Sequence, residues 1–242
     1  MAQFSSKDVG WFAVGGLDLK GQLTDLSLKI SAMLDANQGL GDAWPSHVNT
    51  NLYSAALTQN GFYNDAANST NAAMVAGLGV AQVVSLGLGT AVGDPAYAFA
   101  GPFVATYDRI SSIGKLHKAN ATYQVSGVVG DGRILKPQTT ATGGFTGSSL
   151  DNGASSSAGG CGVVQIGYGL ALGGYTSYTV KIQHSSDNST WADLITFTTF
   201  TAYGAQYGAV TGTVNRYLRA TAALVGSGTT PSIPVSVMFA RF

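Results

Sequence analysis

The sequence predicts a mainly β chain: a β-barrel or sandwich domain with one short helix, then a second small β-sandwich domain. Three observations predict it. Apolar and polar residues alternate with period two along most of the chain, the mark of strands with one buried face. All twelve acids are Asp and charged residues make up 10% of the 242, so the Glu and Lys that exposed helices favour are scarce. Gly is 33 of 242 residues, about twice the ordinary ~7%.

The elements follow in order. Leu17 and Leu19 share one parity, while Leu26, Leu28 and Ile30 share the other. The register must change between Lys20 and Asp25, and Gly21 is the natural bend. Leu26, Leu28 and Ile30 are expected to face the core, with Asp25, Ser27, Lys29 and Ser31 on the opposite face. Gly39–Trp44 reads as a turn or loop and Asn71–Leu78 as a short helix. Val84, Leu86 and Leu88 form a strand, as do Tyr97 and Phe99 before Gly101-Pro102. Tyr123, Val125 and Val129 run into Gly130-Asp131-Gly132, then Ile134 and Leu135, which reads as a hairpin.

Residues Gln138–Gly162 are almost entirely Gly, Ser, Thr and Ala. They are expected to separate a domain at 1–137 from a second at 138–242. The alternative is one long loop plus a weak strand of the second domain. Beyond it, Tyr178, Val180 and Ile182 lead to the polar turn Ser185–Ser189, and Trp191 to Phe200 returns. Val210, Val214, Leu218 and Ala220 share a face, and Val235, Val237 and Phe239 form a last strand.

Composition narrows the function. Twelve Lys and Arg balance twelve Asp, which excludes a basic nucleic-acid binder and an acidic tail. A neutral, charge-poor monomer is poorly soluble, so much of the surface is expected to be covered by other copies. One cysteine, Cys161, cannot form an internal disulfide. The opening MAQFSSKDVGWF lacks a basic region followed by an apolar one, so no signal peptide is expected. The glycosylation patterns at Asn68, Asn120 and Asn188 therefore read as chance. Ala72–Gly93 is uncharged and long enough to cross ~30 Å of hydrocarbon as a helix. Its five glycines, with Gln82, Ser85 and Thr90, argue against a span.

No nucleophile elbow, phosphate loop or zinc-protease motif is present. His47, His117 and His184 lie far apart in sequence. Asp187 and Asp193 flank Trp191, a superficial likeness to a sugar site; a polar turn followed by a buried, anchoring Trp is the plainer reading. Arg216, Tyr217 and Arg219 read as a solvated strand face. No catalytic residue, cofactor or metal is expected.

Two segments carry a resemblance. Gly16-Leu-Asp-Leu-Lys-Gly-Gln-Leu-Thr-Asp-Leu-Ser-Leu-Lys-Ile, Leu40-Gly-Asp-Ala-Trp and Asn51-Leu-Tyr-Ser-Ala-Ala-Leu-Thr-Gln-Asn-Gly-Phe-Tyr-Asn-Asp together resemble the opening of tail tube proteins of long-tailed, siphovirus-type bacteriophages. Tyr178-Thr-Val-Lys-Ile-Gln-His-Ser-Ser-Asp-Asn-Ser-Thr-Trp-Ala-Asp-Leu with Val210-Thr-Gly-Thr-Val-Asn-Arg-Tyr-Leu-Arg-Ala resembles an accessory β-sandwich module of phage virion proteins. The resemblance implies a tail-tube-type fold, with rings of this chain, sixfold in the family, stacking into a conduit for genome ejection. It implies a virion tail location, synthesis in the host cytoplasm, and tape measure, terminator and tip proteins as partners. DNA would pass without specific binding, and no membrane span is involved. Asp25, Ser27, Lys29 and Ser31 become candidates for the channel lining, since a conduit for polyanionic DNA should be neutral or mildly acidic. The rival readings are a capsid decoration or fibre protein, a carbohydrate-binding module centred on Asp187, Trp191 and Asp193, and a hydrolase with an unrecognised site.

Overall fold

Trp11 and Phe12, adjacent in sequence, point to opposite faces of a strand and are both fully buried. The strand that holds them is therefore covered on two sides, and this sets the architecture. The computed structural model describes residues 9–37 and 46–242. Its first elements are β1 (Val9–Val14), β2 (Leu17–Asp18), β3 (Leu23–Asn37), β4 (Ser46–Phe62) and the helix α1 (Thr70–Gly77). Four strands follow: β5 (Val83–Leu88), β6 (Pro95–Ala100), β7 (Pro102–Ile110) and β8 (Lys118–Val125). The long β9 (Val129–Ala141) leads to short strands β10 (Phe145–Thr146) and β11 (Leu150–Asp151). The chain ends with β12 (Gly160–Ile166), β13 (Ser177–Ser185), β14 (Ala192–Thr196), β15 (Gly204–Val210), β16 (Tyr217–Val225) and β17 (Ile233–Arg241). The fold is mainly β, with one α-helix among the described residues.

Eight strands form one antiparallel sheet in the order β15-β12-β17-β9-β6-β5-β1-β2. It curls until its ends approach: the Gly16 amide donates to Gln165 Oε1 at 2.8 Å, and the Tyr168 amide to the Gly16 carbonyl at 3.0 Å. The inside of the curl holds Trp11, Ala13, Ala96, Ala98, Ile134, Cys161, Val163, Met238 and Ala240. Eight strands leave an interior only wide enough for side chains. One Trp therefore requires small neighbours, and a Cβ on Gly87 would lie 2.4 Å from its ring. The Trp11 indole N–H, which burial would otherwise leave unpaired, donates to Ser85 Oγ at 3.0 Å.

Two smaller sheets cover the outside of the curl. The sheet β3-β4-β8-β7 packs Leu57, Val104, Ala121 and Tyr123 against Phe12, Val14, Val84, Leu86 and Phe99, with Met74 of α1 filling one side. The sheet β10-β16-β13-β14, with β11 also beside β16, packs Tyr178, Val180, Ile182, Leu218 and Ala220 against Val164, Ile166, Val235 and Val237. Its fully buried members run from Leu135 to Phe239, while those of the first cluster run from Phe12 to Val125.

Residue 137 itself falls inside β9, which pairs with β6 on one side and β17 on the other. The β17 register shifts between Val235↔Thr139 and Val237↔Lys136, so Pro137 sits in a bulge, where its missing N–H is tolerated. The Gly/Ser/Thr-rich stretch carries β10 and β11, both on β16; it matches the alternative of a loop with weak strands.

The register change at Gly21 takes the form of a 3-10 turn, Lys20–Gln22, followed by a shift between Leu23 and Asp25. The helix expected at Asn71–Leu78 is α1, one residue earlier. The hairpin expected around Gly130-Asp131-Gly132 is absent: all three residues lie within β9, and β8 and β9 belong to different sheets. These glycines serve close approach. A Cβ on Gly130 would lie 2.6 Å from Cys161 Sγ, and one on Gly132 2.2 Å from the Phe239 carbonyl oxygen. Ala72–Gly93 divides into part of α1, a turn and β5, and no helix among the described residues is long and apolar enough to cross a membrane. The loop expected at Gly39–Trp44 and the Leu40–Trp44 part of the resemblance lie outside the described residues.

Candidate functional site: an assembly surface

Strand alternation decides what the β3-β4-β8-β7 sheet shows to solvent. Leu26 and Leu28 turn inward onto the first cluster, while Asp25, Ser27 and Lys29 are exposed and Ser31 is half-buried. The rows continue across the sheet through the pairing register. Asp25 faces Asn60, which faces Asn120, which faces Asp108; Ser27 leads likewise to Thr58, Thr122 and Thr106. Asn60 donates to Asp25 Oδ2 at 3.3 Å, and Gln124 to the Ala55 carbonyl at 3.1 Å. The outcome is a face of hydroxyl and amide groups, with Asp25, Asp108, Lys29 and, in the last row, Lys118 as its charges.

Ile30, expected to face the core, is 52% exposed. The pairing explains this. β4 pairs with β8 only from Ala55 to Phe62, and Ile30 lies opposite Ala55. Beyond that row β3 and β4 continue to Asn37 and Ser46 as a two-stranded arm, with no third strand beside it among the described residues. Six steps of β3 from Ser31 to Asn37, against a β4 that bulges between Leu52 and Asn49, make the arm about 20 Å long.

At the opposite end of the same sheet, residues 111–117 join β7 to β8. Ile113 there is fully exposed and Leu116 is 71% exposed, with Ile110 and Phe62 also partly open. Phe62, Ile110, Lys115, Leu116 and Lys118 line an open hollow of about 690 Å³. Arg109 lies over the rings of Tyr107 and Tyr63, at 5.2 and 6.0 Å. His117 Nδ1 shares a 2.5 Å hydrogen bond with the Ser111 hydroxyl.

The residues of the sugar-site likeness are engaged otherwise. Asp187 Oδ1 accepts from the amides of Thr190 and Ser189, at 2.7 and 2.9 Å, and from the Ser185 hydroxyl. These bonds hold its carboxyl well below the usual range. It closes the turn in which Asn188 takes a φ of 59°. Asp193 accepts from Gln183 at 2.8 Å and pairs with Lys181 at 2.6 Å, and these partners lower its pKa. Trp191 is half-buried, under the Arg219 guanidinium at 4.0 Å from its ring centre. It anchors the strand by this stack rather than by full burial. Nearby, Asp151 makes two 2.6 Å bonds to Arg216, which hold its pKa at about 2.

His117 and His184 lie in different sheets, at the ends of β8 and β13, and His184 Nδ1 accepts the Asn215 amide at 3.2 Å. The side chain of His47 lies outside the described residues. Among the described residues no group of three or more His, Cys or Asp is placed to hold a metal ion. Sequence reading missed the β7–β8 turn. Its signal was available: Ile113 and Leu116 interrupt a run rich in Ser, Gly and Lys, where no period-two partner exists.

No family model matches this chain, nor does any curated protein. Among solved structures, a chain from "Virion of native gene transfer agent (GTA) particle" is 13% identical with a TM-score of 0.42, covering 54% of this chain and 98% of its own. A chain from "Tail of empty GTA particle" is 16% identical with a TM-score of 0.40 and the same coverage. The SPP1 Dit protein, a hub protein of phages infecting Gram-positive hosts, is 12% identical with a TM-score of 0.36, covering 96% of this chain and 98% of its own. All three TM-scores fall below 0.5, so these are partial likenesses.

Proposed function

We propose that this chain is a structural subunit of a phage-type tail, and within the tail the tube protein. Copies close into rings, six to a ring by the family resemblance. The rings stack into a conduit for genome ejection, bounded by tape measure, terminator and tip proteins. The chain does no catalysis and needs no cofactor. In this reading 1–137 is the tube unit and 138–242 an outer accessory unit, joined through the shared curled sheet.

The β3–β4 arm carries the proposal. An isolated two-stranded hairpin is marginal in water, and among the described residues no strand pairs with the outer edge of β3, the kind of edge that recruits another strand. An arm of this kind becomes stable when other copies lie beside it. The charge deficit of the sequence supports the same reading. So does the hydroxyl and amide face of β3-β4-β8-β7, which presents little that would hold DNA.

Electron microscopy and sedimentation of the purified protein test it. Rings or tubes are expected, alone or with the other tail proteins. A stable monomer at high concentration that forms no tube with those partners overturns it.

A further inference from the structure

The sheet β10-β16-β13-β14 turns one face to the cluster that runs from Leu135 to Phe239 and the other to solvent. Val180 and Ile182 of β13 and Leu218 and Ala220 of β16 are buried. By alternation Thr179, Lys181 and Gln183, with Arg219 and Thr221, stand on the outward face. The pairing puts Lys181 opposite Thr221 and Gln183 opposite Arg219. Lys181 and Arg219 are therefore diagonal neighbours, about 7–8 Å apart. Thr146 of β10 joins the first row, opposite Thr221. These side chains line an open hollow of about 320 Å³, at the lower end of the ~300–1,000 Å³ that small-molecule sites span.

Hydrogen bonds fix the polar groups of the hollow in one relay. Lys181 Nζ pairs with Asp193 Oδ2 at 2.6 Å, Gln183 Nε2 donates to Asp193 Oδ1 at 2.8 Å, and Arg219 Nε donates to Gln183 Oε1 at 2.9 Å. The Arg219 guanidinium also lies over the Trp191 ring, at 4.0 Å. The stack and the bond through Nε set the plane of the guanidinium. Its terminal nitrogens remain, as a fork of the kind that grips a carboxylate or phosphate with two bonds. Among the described residues no carboxylate pairs with Arg219; the ion pairs of this sheet join Lys181 to Asp193 and Arg216 to Asp151. Partial burial makes the Arg219 cation less favourable than in open water, and an anion beside it would reverse that. Lys181, Arg219 and Asp193 sum to one positive charge. Lys136, 5.0 Å from the ring centre of Phe145, which also lines the hollow, adds another.

We propose that this hollow binds an acidic saccharide. Arg219 grips its carboxylate or phosphate group, Lys181 adds its charge beside it, and the hydroxyls of Thr146, Thr179 and Thr221 meet the sugar hydroxyls. The chemistry favours a sugar over a nucleic acid. Arg219 covers the indole on which a base would stack, and three cations around one hollow make no array along a phosphate backbone. Asp187 and Asp193, the carboxylates of the sequence likeness to a sugar site, are committed to a turn and to Lys181; the binding groups are cations instead. The site lies on this one sheet, so it stands or falls apart from the assembly reading.

Calorimetry with the full chain at low ionic strength tests it, using polygalacturonate, phosphorylated dextran, plain dextran and a short DNA duplex. At least one acidic polymer should bind, and which one does so distinguishes carboxylate from phosphate. Plain dextran should bind far more weakly, and added salt should weaken the acidic polymer. Arg219→Gln should lower the affinity roughly tenfold or more, and Lys181→Gln by less. Arg219→Lys, which keeps the charge and loses the fork, should recover only part. Arg216→Gln with Asp151→Asn removes a balanced ion pair outside the hollow and should change nothing. The proposal is overturned if neither acidic polymer binds, or if the Arg216 and Asp151 pair weakens binding as much as Arg219→Gln does, the mark of diffuse attraction. Unchanged binding in a folded Arg219→Gln overturns it too, and if that variant does not fold, Lys181→Gln carries the same test. A duplex bound more tightly than both polymers overturns it in favour of nucleic acid.

Discussion

Single residues in this fold are chosen by the space that facing strands leave. Gly87 and Trp11 share one slot in the curled sheet, so Gly87→Ala places a methyl against the indole at 2.4 Å. The ring must shift, at a cost of about 1–3 kcal/mol, which denaturant unfolding will register as a lowered midpoint. Cys161 lies in the same interior, and burial pushes its thiol up from the ordinary value. It should resist a thiol reagent in the native protein and react on unfolding, because the thiolate is the reactive form. Asp187 acts locally and at the surface. Its carboxyl is depressed by the amides of Thr190 and Ser189 and the Ser185 hydroxyl, so its support for the turn is complete above the ordinary Asp range. That support fades as the solution is acidified through and below that range. Asp187→Ala should speed hydrogen exchange at the Ser189 and Thr190 amides; unchanged exchange would show that the turn closes without the carboxylate. These residues also mark the limit of what sequence can tell. Ser185–Ser189 was legible as a turn because Asp and Asn close such turns through their own side chains. Gly130-Asp131-Gly132 has the same local chemistry and was misread, because its glycines answer to Cys161 and Phe239, far off in sequence.

The elements show which patterns survive folding. Period two located β5, β6, β13, β16 and β17, since each has one face on an apolar cluster. It gave no warning that the other face of the curled sheet is buried too, because that face is built mainly of Ala, Gly and Ser around Trp11, and its larger apolar members, Ile134, Val163 and Met238, are scattered over separate strands. The Gly-, Ser-, Thr- and Ala-rich stretch from Gln138 looked like a boundary, yet its first residues belong to β9, and the bulge at Pro137 beside them is formed against β17, about a hundred residues later. The same arrangement bears on truncation. A chain ending at Pro137 keeps every fully buried member of the first cluster, from Phe12 to Val125. It strips Cys161, Val163, Met238 and Ala240 from Trp11 and Ile134. Such a fragment should retain β-type circular dichroism, bind a hydrophobic dye and unfold with a shallower transition than the full chain. A fragment with a sharp transition and no dye binding would mean that 1–137 closes its own barrel. The arm is the third case. The strand that leads into it was legible from Asp25 to Ser31, and Ile30 departs from the pattern because β8 ends one strand away, opposite Ala55.

At the scale of the molecule, the proposed tube role raises the question of which surface would meet a channel. The β3-β4-β8-β7 sheet offers a face whose cross-strand rows run Asp25-Asn60-Asn120-Asp108 and Ser27-Thr58-Thr122-Thr106. Duplex DNA carries one negative charge per ~1.7 Å and is held by any array of cations through counterion release. A face of Ser, Thr and Asn whose two Asp, Asp25 and Asp108, balance its two Lys, Lys29 and Lys118, gives DNA no such array. Asp25, Ser27, Lys29 and Ser31 therefore stay the candidates for the lining, and they make a directional test possible. Ser27→Lys adds one cation per subunit at an exposed position. Every ring repeats it, so a weak attraction is summed along the whole tube. Tails built from this variant should assemble as wild type does and release DNA more slowly. The delay should shrink as salt rises from low ionic strength toward 0.1 M, where the screening length falls to ~10 Å. Ser27→Asp, with the opposite charge on the same atoms, should leave release unslowed. If correctly assembled Ser27→Lys tails eject at wild-type speed in low salt, this face points away from the channel, toward solvent or a neighbouring subunit.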